Sequence, residues 1–204
     1  MGVFGNVMRK TGMQRRLKPV LSVVITFIAA IWVIELVDLF AMSNKLDAWG
    51  IRPRSMWGLV GIPLSPFLHG GFRHLISNTI PLLILGTVVG FRGVRNLVEV
   101  TTIIALVGGA GVWLIGKSAS VHIGASGLVF GFFGFLITRG FFDKSIRSLL
   151  VGVGVLLFYG GLIWGVLPTD PNVSWEGHLC GLLAGALAAK MLANRTPSSS
   201  FSIE

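Results

Sequence analysis

Two short strings carry residue types suited to covalent chemistry: Gly124-Ala125-Ser126-Gly127, and Gly177-His178 followed by Gly181 and Gly185. A serine hydroxyl is a poor nucleophile until a neighbouring base takes its proton, and histidine titrates in the range to do so. Ser126 as nucleophile and His178 as general base would suit acyl transfer, provided that preorganised donors meet the developing oxyanion. The backbone N–H of Ser126 at a helix start, and the side chains of His74 and Asn78, can supply such donors. Glu176 is the one carboxylate near His178 in the chain, so the expectation is a dyad rather than a triad.

The elements that must position these residues are membrane helices. Of the 204 residues 53% are hydrophobic and only 12% charged, whereas a soluble domain carries about 25% charged residues. Apolar runs follow one another with short polar breaks, which predicts a single membrane domain. A spanning helix needs about 20 mainly apolar residues, and six stretches are assigned: 19–42, 72–91, 97–115, 126–138, 146–167 and 176–192. Residues 43–71, with Trp49, Pro53, Trp57, Pro63 and Pro66, predict an interfacial or partly inserted loop. The expected fold is an all-α, six-transmembrane-helix bundle over residues 19–195. A basic cytoplasmic segment, 1–18, precedes it, and a disordered tail, 196–204, follows.

From Ser126 to Arg139 is 13 residues, about 20 Å of helix against a hydrocarbon core of about 30 Å. With Arg139 at the boundary, residues 116–125 must dip into the membrane to reach Ser126, shielded by protein or lining water. His178 stands 12 residues before Lys190 and Asn78 stands 14 before Arg92, which puts all three polar groups in one layer, about 18–21 Å above that boundary. His74, at i−4 from Asn78, shares its helix face. Gly127 and Gly131, and Gly177, Gly181 and Gly185, recur at every fourth residue and allow two helices to approach closely.

Seventeen Lys and Arg against eight Asp and Glu give a net charge of +9. They are scattered singly, which speaks for topology and against a nucleic-acid partner. Twelve of the seventeen (Arg9, Lys10, Arg15, Arg16, Lys18, Arg92, Arg95, Arg139, Lys144, Arg147, Lys190 and Arg195) fall on the side of the termini, and five on the other. Both termini are therefore expected in the cytoplasm, and all four histidines toward the outer side of a plasma membrane of bacterial type. The first apolar stretch is too long for a signal peptide and predicts a retained helix. The single Cys180 excludes an internal disulfide, and two residues after His178 it should face away from the imidazole and pack.

The GASG string at 124–127, the Gly177-His178 string, the spacing His69-x4-His74-x3-Asn78 and the first-loop segment Gly50-Ile51-Arg52-Pro53-Arg54 together resemble the rhomboid intramembrane serine proteases, over roughly residues 46–190. The resemblance implies a Ser126–His178 dyad that hydrolyses a peptide bond in or beside a transmembrane segment of a membrane-protein substrate, without a cofactor. It implies that His74 and Asn78 assist the oxyanion, with support from Gly124, Gly127 and His69. It also implies that Phe130 holds the place where rhomboids commonly carry an aromatic stacked on the catalytic histidine. The adjacent Trp-Arg pair that many rhomboids carry in the first loop is missing, which leaves Trp49 and Trp57 to anchor it.

Plainer uses compete with these. Serine often caps helices, and His178, His74 and Asn78 could be polar glue between them, although an ionisable residue inside a membrane is a functional candidate by default. Four histidines on one side could hold a metal or haem in a binding or transport protein. That reading leaves Ser126 unused, and the chain contains no His-Glu-x-x-His. A third reading is a non-catalytic rhomboid-like protein that binds transmembrane clients. His69 and His122 are expected to shape the cavity or the adjoining loops, while Glu35, Asp38 and Glu99 are expected to brace the first span against the first loop.

Overall fold

The computed structural model describes residues 2–170 and 173–193, with side chains from Leu17 onward; the expected tail, 196–204, lies outside the described residues. In hydrocarbon each backbone polar group must be paired within its own segment, so the apolar runs become helices. These are α1 (Gly2–Val37), prolonged by a π-helical turn at Asp38–Met42, α2 (Phe72–Gly90), and α3 (Val94–Ile115), with a π-helical turn at Ile104–Gly108. They continue with α4 (Ser126–Asp143), α5 (Ile146–Val166), whose end Gly160–Val166 tightens to 3-10 helix, and α6 (Trp175–Met191). Among the described residues five helices are long and apolar enough to cross a membrane: α1 from Leu17, and α2 to α5. Helix α6, with 17 residues, is shorter and lies inside the bundle. The expected all-helical membrane bundle is thus observed, with helix limits within a few residues of the expected ones except at the start of α1, which reaches back through the basic segment to Gly2, and at the end of α4.

Helix α4 is the centre. In an 18-residue stretch 61% of its residues are buried, against 11% in α5. Phe132, Phe133 and Phe135 of α4 pack with Ile31 of α1, Leu75 and Leu85 of α2, and Ala188 and Ala189 of α6. The α4–α6 contact is the most extensive in the molecule, and it is made backbone to backbone. A Cβ on Gly181 would run into the Gly127 carbonyl, and one on Gly185 into the Gly131 carbonyl. The four-residue glycine repeats therefore do what their spacing led us to expect.

The limit expected for α4 at residue 138 is corrected. The helix continues to Asp143, so its 18 residues measure about 27 Å. Arg139 is buried. Its Nε donates to Asp143 at 2.6 Å and its Nη2 to the Leu192 carbonyl just past α6 at 2.8 Å, while Arg92 pairs with the same carboxylate at 2.9 Å. With a carboxylate and a helix-end carbonyl as partners, the guanidinium has no need to reach the surface, and it ties α4 to α6 at the end opposite Ser126.

The first loop folds into short turns, Leu46–Trp49, Trp57–Leu59, Gly61–Leu64 and Ser65–Phe67. Glu35 and Asp38 brace it as expected: Glu35 accepts from the Gly71 N–H and Asp38 from the Leu46 N–H, both at 2.9 Å. Glu99 instead bonds Arg95 on its own helix. Arg54 straps the loop to the end of α3, donating to the carbonyls of Leu114 (2.7 Å) and Gly116 (2.8 Å) and to the Ser118 hydroxyl. The indole N–H of Trp113 donates to the Ser55 carbonyl at 2.8 Å.

Candidate active site

Residues 116–125 lead to the start of α4, and the backbone groups of His122, Gly124 and Ala125 are claimed by the first loop. His122 and Ile51 exchange N–H···O bonds at 2.9 Å, the Gly124 N–H donates to the Ser65 carbonyl at 2.9 Å, and the Ala125 N–H donates to His69 Nε2 at 3.3 Å. The end of the segment, next to Ser126, thus has its backbone paired within the protein. Gly124 sits at φ +113, and a Cβ there would lie 2.6 Å from His74 Nε2, so both its conformation and the imidazole above it demand glycine.

Ala125 is the N-cap of α4 and Ser126 its first helical residue. The hydroxyl of Ser126 therefore does not serve as the cap, which removes the plainest alternative use for it. The leading N–H groups of a helix have no intrahelical acceptor, and here they stand beside Ser126 at the positive end of the helix dipole. Ser126 lines a cavity of about 50 Å³ together with Gly124, Gly127, His122, Ser174 and Gly177.

His178 is buried, and its ring lies flat on Phe130, with centroids 3.9 Å apart and planes 7° from parallel. Its Nδ1 is 2.8 Å from the carbonyl oxygen of Gly165. A carbonyl can only accept, so Nδ1 carries the proton and Nε2 is left with a bare lone pair. Gly165, in the last turn of α5, was not singled out from sequence, and no sequence signal marks a backbone acceptor. Its own side-chain position is closed: a Cβ would meet the tip of Phe130 at 2.6 Å and His178 Nδ1 at 3.3 Å.

The remaining expected residues cluster on the α2 side. His74 stands over Gly124 and meets His69 edge-on, with ring centroids 5.2 Å apart. Burial, with His74 beside it, lowers His69 to about 4, so at neutral pH its Nε2 is free to accept the Ala125 N–H. Asn78 is buried, and its Nδ2 finds no partner among the described residues, which leaves an unused donor. Among the described hydrogen bonds none joins Ser126 to His178, and the structure shows their helices in contact rather than a closed pair. Cys180 lies against Gly111 of α3, in line with packing. A buried imidazole with a free Nε2 and a serine outside the cap, on two helices in contact, are groups of the kind that move a proton, and Asn78 Nδ2 is a donor of the kind that holds an oxyanion.

The family model described as Rhomboid domain matches residues 53–195. The chain belongs to the rhomboid family. An uncharacterized Mycobacterium tuberculosis (strain H37Rv) protein is 42% identical to it over 179 residues, covering 84% of this chain and 74% of the relative. A Mycobacterium leprae protein, likewise named as uncharacterized, is 38% identical over 193 residues, 90% of this chain and 76% of the relative. A Bacillus subtilis protein named "Putative rhomboid protease YdcA" is 25% identical over 184 residues, 84% of this chain and 87% of the relative. Membership supports an intramembrane protease-like function for this rhomboid, and with its apolar helices it marks an integral membrane protein.

Proposed function

We propose that this rhomboid is an intramembrane serine endopeptidase that cuts a peptide bond in or beside a transmembrane segment of other membrane proteins, with Ser126 as nucleophile and His178 as base. The observation that carries the reading is the Gly165 carbonyl on His178 Nδ1. It does the orienting work of the third member of a triad, fixing the tautomer that leaves Nε2 to take the Ser126 proton. The oxygen of Ser126 attacks the scissile carbonyl, and the oxyanion is met by the N–H groups at the start of α4 and by Asn78 and His74. His178 then gives its proton to the leaving amine, and water attacks the acyl-serine while Nε2 takes a proton from it, restoring the serine. No cofactor enters the cycle. The open Ser126–His178 geometry is compatible with catalysis, because such bonds often tighten only when substrate is bound.

In this reading both termini face the cytoplasm and the site opens outward, following the charge bias of the loops. The substrate helix enters sideways between α2 and α5 and unwinds locally, since hydrolysis needs an extended backbone. The open pair also suits the alternative of a client-binding rhomboid without catalysis. The metal or haem reading gains nothing from the histidines, because among the described residues no three His, Cys, Asp or Glu side chains are grouped as ligands.

The test is cleavage of a single-span membrane substrate by purified protein in detergent, with wild type, Ser126→Ala and His178→Ala, each with and without a chelator. Wild-type cutting that resists chelation and disappears in both folded variants is the expected result. Cutting that survives Ser126→Ala, or a wild type that never cuts, would overturn the proposal.

A further inference from the structure

His122 stands four residues before Ser126, and Ser174 stands four residues before His178. The two side chains meet: His122 Nδ1 is 2.6 Å from Ser174 Oγ. Ser174 is the N-cap of α6. Its Oγ accepts from the Gly177 N–H at 3.1 Å, and its carbonyl accepts from the His178 N–H at 3.2 Å. The backbone of His122 is itself clamped on both sides by Ile51 of the first loop. One imidazole thus joins three pieces of chain: the wall of the first loop, the segment that delivers Ser126 and the first turn of the helix that carries His178. Beyond it α4 and α6 meet through Gly127, which touches the Gly177 carbonyl and packs more tightly on Gly181.

Resting on the protease reading, we infer that His122 is a positioning residue: its bond to the Ser174 cap fixes where α6 begins relative to Ser126, and so sets the distance between nucleophile and base. His122 itself touches no reacting atom. Its Nε2 is buried, lies against Gly116 and has no hydrogen-bond partner among the described residues, so the work is done through Nδ1. An asparagine places an amide group near Nδ1 and can keep the bond, whereas leucine fills the space without it. Misplacing a reacting pair by about 1 Å costs on the order of a hundredfold in rate, and a loss from misplaced reacting groups is read in kcat.

Three variants test this in the intact protein: His122→Leu, His122→Asn and Ser174→Ala. The expected result is a kcat lowered roughly ten- to a hundredfold in His122→Leu with KM little changed, and most of that loss recovered in His122→Asn. The double variant His122→Leu/Ser174→Ala should be no slower than the worse single one, because the two act through one bond. Amide hydrogen exchange at Gly177 and His178 should quicken in His122→Leu, a readout that needs no activity. Unchanged kcat in a folded His122→Leu, additive losses in the double variant, or unchanged exchange at those two amides would each overturn the inference. A wild type that cuts nothing would sink the protease reading instead, and the exchange measurement would still decide whether His122 holds the start of α6.

Discussion

The first loop and α5 flank the candidate site from two directions, and they are held in very different ways. The loop is fastened at both ends and in the middle, through Glu35 and Asp38, through Arg54 on the end of α3, and through the Ile51–His122 bridge. Gly58 and Gly61 are packed so tightly against Arg52 and Gly50 that neither has room for a Cβ. Helix α5 is held by packing along one face: Gly152 sits against the Leu136 carbonyl, Gly140 of α4 against Leu149, Val155, Tyr159 and Leu162 against the core, and Gly165 closes on Phe130 and His178. On its other face Gly154 and Gly161 have nothing within 4 Å of a would-be Cβ, and Leu157 and Phe158 are 79% and 86% exposed. One wall is fixed by hydrogen bonds and the other is packed along a single face. It is the packed wall that supplies the Gly165 carbonyl to His178.

The sharpest way to break that comparison is to disturb the carbonyl without disturbing the fold. In Gly165→Val the added carbons would collide with Phe130 and the imidazole. The stack has to shift, and activity should fall on the order of a hundredfold or more. Because the end of α5 is largely exposed, the melting temperature in detergent should change little. A variant with full activity would show that the Nδ1–Gly165 bond does not orient the base.

The second prediction asks whether the packed wall is the entrance. Cysteines placed on the site-end halves of α2 and α5 and crosslinked should lower cleavage of a membrane-embedded substrate about tenfold or more, while a short soluble peptide is still cut. A crosslink between the first loop and the segment after α3, near Arg54 and Ser118, should leave both rates alone, because that wall is already strapped there. Unimpaired cleavage of the embedded substrate with α2 and α5 joined would remove lateral entry at this seam.

What was legible in the sequence followed from periodicity and from chemistry that needs a side chain. The helices came from apolar runs, and the α4–α6 approach came from glycines at every fourth residue. The candidate constellation came from Ser126, His178 and Asn78 being expected in one layer, with His74 one helical turn from Asn78 on the same face. The end of α4 was misplaced because Arg139 was treated as a surface charge, whereas Asp143, one turn on, and the Leu192 carbonyl let it stay buried. The Gly165 acceptor was not legible at all: a carbonyl belongs to every residue, and which one reaches the imidazole depends on how α5 ends. The Ser174 cap was legible in principle, as a serine three residues before Gly177 at the head of an apolar run. The bond from His122 to that cap depends on the loop path alone.

The smallest expected effect concerns the fixed wall and acidity. His69, lowered by burial and by His74 from 6.5 to about 4, binds its proton more weakly folded than unfolded, so its contribution is complete above pH 6.5 and is lost as pH falls toward 4. At pH 5.8 the loss is about 1 kcal/mol. Asp47 works in the opposite sense. Burial, with the Asp38 and Glu35 carboxylates near it, raises it from 3.8 to about 6, so its contribution is present below pH 3.8 and is lost as pH rises through 6. Acidification from 6.5 to 4 therefore weakens the loop through His69 and strengthens it through Asp47, and the more exposed Asp47 should offset only part of the His69 slope. Thermal unfolding of the wild type across this range should show a shallow fall in stability on acidification. His69→Gln, which can still accept the Ala125 N–H, should flatten that fall, and Asp47→Asn should steepen it. Identical slopes in all three proteins would mean that neither group is held by the loop as the structure places it, and the contrast between a fixed and a packed wall would lose its clearest thermodynamic mark.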